Sequence, residues 1–83
     1  MKDTTAVRKI LSDNGYDVQE LYKNKTGRKF KAYVFPSEDN LGKVEEQCRE
    51  FFQERFIDIS FQDVWHLSGC GVLCSVIFIK LSS

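Results

Sequence analysis

The segment VLCSVIFIKL, Val72 to Leu81, carries apolar side chains on both parities. A β-strand sends alternate side chains to opposite faces, so such a run belongs to a central strand covered on both faces, or facing a partner on one. With helices on one side of a sheet, either Val72, Cys74, Val76 and Phe78 or Leu73, Ile77, Ile79 and Leu81 must point away from them. Both rows are apolar, and a small monomer does not leave such a row in water. The sequence therefore predicts a protein partner or a homodimer interface on this strand, with Val72, Cys74, Val76 and Phe78 as the contact set; the alternative is that loops or the termini of the same subunit cover the row.

The rest of the chain supplies the elements around that strand. Val7, Ile10 and Leu11 recur at helical spacing between Thr4 and Asn14, with Asp3 or Thr4 as cap and Gly15 as a left-handed stop. Tyr16 to Lys23 alternates weakly, and Arg28 to Phe35 alternates well, with Phe30, Ala32 and Val34 on one side. Asn24-Lys25-Thr26-Gly27 between them has the chemistry of a hairpin turn. Pro36-Ser37 breaks the strand, and Ser37 is the expected cap of a second helix. Its apolar stripe is Leu41, Val44, Cys48, Phe51 and Phe52, opposite a charged face. Ile57 to Leu67 reads as a half-buried strand, and Ser68 to Gly71 as a turn. The order is αββαββ, which suits a duplicated αββ unit. The expected fold is α+β, a four-stranded, mostly antiparallel sheet with two helices packed on one face.

At 83 residues the chain makes one domain, burying roughly 60–65% of its unfolded surface. The start, MKDTTAVRK, lacks the apolar run of a secretion signal, and no segment approaches the length of a membrane span. Three cysteines, with Cys48 far from Cys70 and Cys74, do not form the framework of a secreted mini-protein. Cytoplasmic location and no membrane association are the expectations.

Net charge is zero, but residues 1–36 hold eight Lys or Arg against four acids, and residues 37–83 the reverse. Within YKNKTGRKFKAY, Lys23, Lys25, Arg28, Lys29 and Lys31 meet no acid. Cations neutralise phosphates and exposed rings, here Tyr22, Phe30 and Tyr33, stack on bases, so this hairpin is the candidate nucleic-acid surface. Lysines also protect sheet edges, which is the structural alternative.

His66, Cys70 and Cys74 lie at spacings of four. Cys74 in a strand and Cys48 in a helical stripe are poor zinc ligands, and both read as small buried hydrophobes. A hairpin turning near Gly69 could bring Cys74 beside His66, the one arrangement here that suits a nucleophilic thiol. No cofactor motif is present. GCGVLC is similar, over these few residues, to the terminal segment of amidinotransferase-type enzymes, whose remaining apparatus has no counterpart in this chain. VRKILSDNGYDV followed by a basic hairpin resembles in layout the start of HicA-type RNA-cleaving toxins, which carry a histidine on that hairpin. Here the stretch is Thr26-Gly27-Arg28-Lys29-Phe30, so the resemblance implies RNA binding without catalysis.

The functional expectation is a small non-enzymatic protein that docks on a macromolecular partner without a cofactor. By analogy of size and style it is a phage or mobile-element inhibitor of a host nucleic-acid-processing or defence complex, in the manner of anti-CRISPR proteins. The alternative expectation is an RNA- or DNA-binding domain built on the basic hairpin.

Overall fold

The computed structural model describes residues 2–35, 41–67, 71 and 73–82, with backbone alone for 63–67. Its elements run α1 (Asp3–Asp13), β1 (Asp17–Lys23), β2 (Lys29–Phe35), α2 (Gly42–Phe52), a short 3-10 turn (Gln53–Arg55), β3 (Phe56–Leu67) and β4 (Leu73–Leu81). The strands form one antiparallel sheet in the order β1-β2-β4-β3. Each αββ half thus contributes one helix, one edge strand and one central strand, and the halves meet at the β2–β4 seam. The α+β fold expected from the αββαββ pattern is the one observed. Among the described residues, no helix is long and apolar enough to cross a membrane.

Register explains the core. Phe30 pairs with Ile79 and Ala32 with Ile77, so the apolar rows of β2 and β4 share one face. Val7, Ile10 and Leu11 of α1 and Val44, Cys48 and Phe52 of α2 close over that face. Burying each large aliphatic or aromatic side chain there stabilises the fold by roughly 1.5–3 kcal/mol. At the end of α1, Gly15 N–H donates to the Ser12 carbonyl and Tyr16 N–H to the Leu11 carbonyl. Gly15 has φ of 90°, the left-handed stop expected of it. Asn14 Nδ2 then donates to Gln47 Oε1 at 3.1 Å, joining α1 to α2.

Local expectations fail in four places, each for a structural reason. α1 begins at Asp3 behind Lys2, with no side-chain cap, and the Asp3 carboxylate instead accepts from the two terminal guanidinium nitrogens of Arg55, each at 3.1 Å. α2 begins at Gly42 with Leu41 before it, and Ser37 lies outside the described residues. Phe51 falls at the margin of the α2 stripe and is 40% exposed. A register shift between Phe56 and Asp58 turns Phe56 inward and leaves Ile57 outside, after which Ile59 and Phe61 pack on the core. A similar shift between Val18 and Glu20 lets Val18 and Leu21 both reach the core, which accounts for the weak alternation in β1.

Gln53, just past α2, has φ of 53° and ψ of −125°. A side chain in that region crowds the backbone at a cost of about 1–3 kcal/mol, whereas glycine enters freely. Replacement also enlarges the unfolded ensemble, which returns part of the gain. Gln53→Gly is expected to stabilise the protein by about 1 kcal/mol, raising Tm by roughly 4–8 °C in a chain of this size. Calorimetry checks this, and an unchanged or lower Tm rules out strain at this turn.

Candidate functional site

The helices cover one face of the sheet, and the other carries the alternate residues of each strand. Cross-strand pairing lays them out in rows. Lys29 lies opposite Lys80, which lies next to Asp58; Lys31 is flanked by Tyr22 and Phe78, with Ser60 beyond; Tyr33 is flanked by Glu20 and Val76, with Gln62 beyond.

The apolar row expected on this face is not open along its length. Cys74 is 0% and Val76 3% exposed within a single subunit. Val76 is short and stands between Tyr33 and Gln62, longer side chains that directly flank it in the register. Cys74 and Val76 therefore offer no area to a partner. Phe78 is half-buried, and Val72 lies outside the described residues. Longer neighbours in the sheet, rather than a partner, shelter Val76.

What this face does present is aromatic and basic. The Tyr22 and Tyr33 rings meet edge to face, 5.9 Å apart at 87°. Tyr22 is 53% exposed, and Lys31 Nζ lies 5.4 Å from the centre of the Tyr33 ring. The Tyr22 hydroxyl donates to Glu20 Oε2 at 2.9 Å, and this bond, then the Glu20 charge, raises its pKa and keeps the phenol neutral. Lys23, Lys25, Arg28 and Lys29 are exposed at the same end of the sheet, and Lys31 is half-buried.

The loop carrying these cations is built by one side chain. Asn24 Oδ1 accepts from the Thr26 hydroxyl and from the backbone N–H groups of Arg28 and Lys29, at 3.1, 3.1 and 3.2 Å. Gly27 provides the φ of 71° that closes the turn, and Leu81 N–H donates to the Arg28 carbonyl, tying the loop to β4. That tie brings in Lys80, a sixth cation from the far end of the chain, which the local sequence pattern could not reveal. Among the described residues the ion pairs are Lys9–Asp13, Arg49–Glu45 and Arg55–Asp3, and none engages these six cations.

The remaining chemical groups are separated by the fold. Cys48 lies under α2, whereas Cys74 alternates to the opposite face of the sheet, so the two cannot share a metal ion. His66 and Cys74 are cross-strand partners in the register, as the hairpin reading anticipated, and Cys74 is enclosed. Cys70 lies outside the described residues. No family model, no curated protein and no solved structure matches the chain.

Burial, followed by the charge of Glu45, pushes the Cys48 thiol from 9.0 up to about 11. A pKa raised by folding means that the neutral thiol stabilises the fold fully below pH 9 and that this contribution fades as pH rises through 11. Denaturant titrations are expected to show stability falling across that window, with a smaller fall in Cys48→Ala. Thiol reagents should label Cys48 only through unfolding; rapid labelling of the folded protein contradicts this burial.

Proposed function

We propose that the protein is a non-enzymatic domain that binds nucleic acid on the uncovered face of its sheet, at the end formed by the β1–β2 loop and Lys80. One observation carries this reading: six cations that form no ion pair among the described residues gather around the exposed Tyr22 ring and the half-buried Tyr33 ring, beside a loop held by Asn24. Cations with no ion pair to break can turn onto phosphates at little cost, and the exposed Tyr22 ring can stack on a base. The acidic side of α2 weighs little against it, because the helices lie across the sheet. The layers are about 10 Å apart, a distance comparable to the screening length at physiological salt.

A second reading keeps the docking expectation, including an inhibitor of a nucleic-acid-processing complex. Phe35 and Leu73, each 47% exposed at the end of the sheet away from the basic loop, support it. In that reading the affinity is apolar, so a protein complex or homodimer persists at raised salt and Phe35→Glu disrupts it. Sedimentation of a lone monomer under those conditions removes the homodimer.

The readings separate through salt. Nucleic-acid affinity is expected to fall with a log–log slope of about −3.5 to −4, given roughly 0.7 ions released per contact and five or six contacting cations. Lys23→Gln combined with Lys25→Gln should flatten the slope by about one to two. Anisotropy titrations with a labelled mixed-sequence oligonucleotide measure both, and absence of binding at low salt rejects the proposal.

A further inference from the structure

Phe78 divides the uncovered face into two hollows. One, of about 280 Å³, is lined by Tyr22, Lys23, Asn24, Lys31 and Phe78. The other, of about 200 Å³, is lined by Asp58, Ser60, Lys80 and Phe78. Lys29 borders both. Lys29 and Lys80 are direct cross-strand partners, a like-charge pairing that opposes sheet formation and that a bound anion would relieve. Asp58 adjoins Lys80 in the register, yet no ion pair joins them among the described residues.

We propose that this face takes its nucleic acid as a single strand, with two successive bases seated on either side of Phe78 and the phosphate between them held by Lys29 and Lys80. The inference rests on the nucleic-acid reading above and specifies its ligand. Three features select the unpaired form. The Phe78 and Tyr22 rings line the hollows, and a duplex, whose bases are stacked inside, has no free base to stack on them. The Phe78 and Lys80 rows are about 7 Å apart along the strand, which sets a ring contact beside a charge contact within reach of one nucleotide. Asp58 in the second hollow repels a plain polyanion, whereas it and the Ser60 hydroxyl can accept hydrogen bonds from base amino groups, so the site suits a nucleotide better than a chain of phosphates.

The test compares a short labelled single strand, the duplex of the same sequence and inorganic polyphosphate as probes. The variants are wild type, Phe78→Leu, Phe78→Tyr, Tyr22→Ala and the double variant Lys29→Gln with Lys80→Gln. Single-strand affinity is expected to exceed that for the other probes. Phe78→Leu should weaken single-strand binding by about 5- to 100-fold without changing the salt slope, and Phe78→Tyr should restore it. The double lysine variant should flatten the slope by about one. If Phe78→Leu alters thermal unfolding, Tyr22→Ala decides instead, since Tyr22 is exposed and its loss is expected to weaken the single strand selectively. Equal affinity for duplex and single strand, or indifference to both ring variants, overturns the single-strand assignment while leaving an electrostatic nucleic-acid surface in place. Failure of every nucleic acid to bind at low salt overturns the underlying reading as well.

Discussion

The pairing of β2 with β4 is the constraint from which both faces of the sheet follow. It joins the two αββ halves, and its register sets Phe30 beside Ile79 and Ala32 beside Ile77 under the helices. Because side chains alternate with a period of two, the same register fixes what lies on the reverse: Lys29 beside Lys80, Lys31 beside Phe78, Tyr33 beside Val76. A slip by one residue would drive lysines into the core, so the burial free energy of one face dictates the arrangement of the other. The basic and aromatic surface is in this sense a consequence of core packing, and it inherits the rigidity of the core.

Much of that architecture was legible in the chain. Alternation in Lys29 to Phe35, the Asn24 to Gly27 turn, the glycine stop after α1 and the stripe of Val44, Cys48 and Phe52 each rest on local chemistry that the fold preserves. The bulges were not legible. Phe56 turns inward while Ile57 stays outside, and Val18 and Leu21 share a side, because bulges break the period of two; a bulge is settled by the partner strand rather than by the residues that form it. Phe51 was assigned to the core by hydrophobicity, although its angular position lies at the edge of the stripe and leaves it exposed.

The candidate site was legible only in its local half. Lys23 to Lys31 form a contiguous basic run visible in any window of the sequence, whereas Lys80 joins them through the strand order, and Phe78 gains its hollows from residues on all four strands. The reverse error occurred at Cys74 and Val76. A row of apolar residues in one strand suggests an open surface when read alone, but within a sheet each member stands between neighbours on two other strands. Short side chains disappear beneath longer ones, so apolarity along a single strand overstates the area available to a partner.

Overall neutrality is likewise a poor guide to how this molecule meets others. Lysines and arginines concentrate in the first αββ half and acids in the second, so a sequence average cancels to zero. The fold does not mix them to the same degree. α2 exposes its acids beyond the helical layer, while the β1–β2 loop gathers its cations at one end of the sheet and recruits Lys80, the last cation of the acidic half, to that same end. An approaching polyanion responds to the nearest charges, because those beyond about 8–10 Å are screened. At that sheet end the six cations outnumber Asp58 and Glu20 on the same face, so an electrically neutral chain carries a local excess of positive charge there.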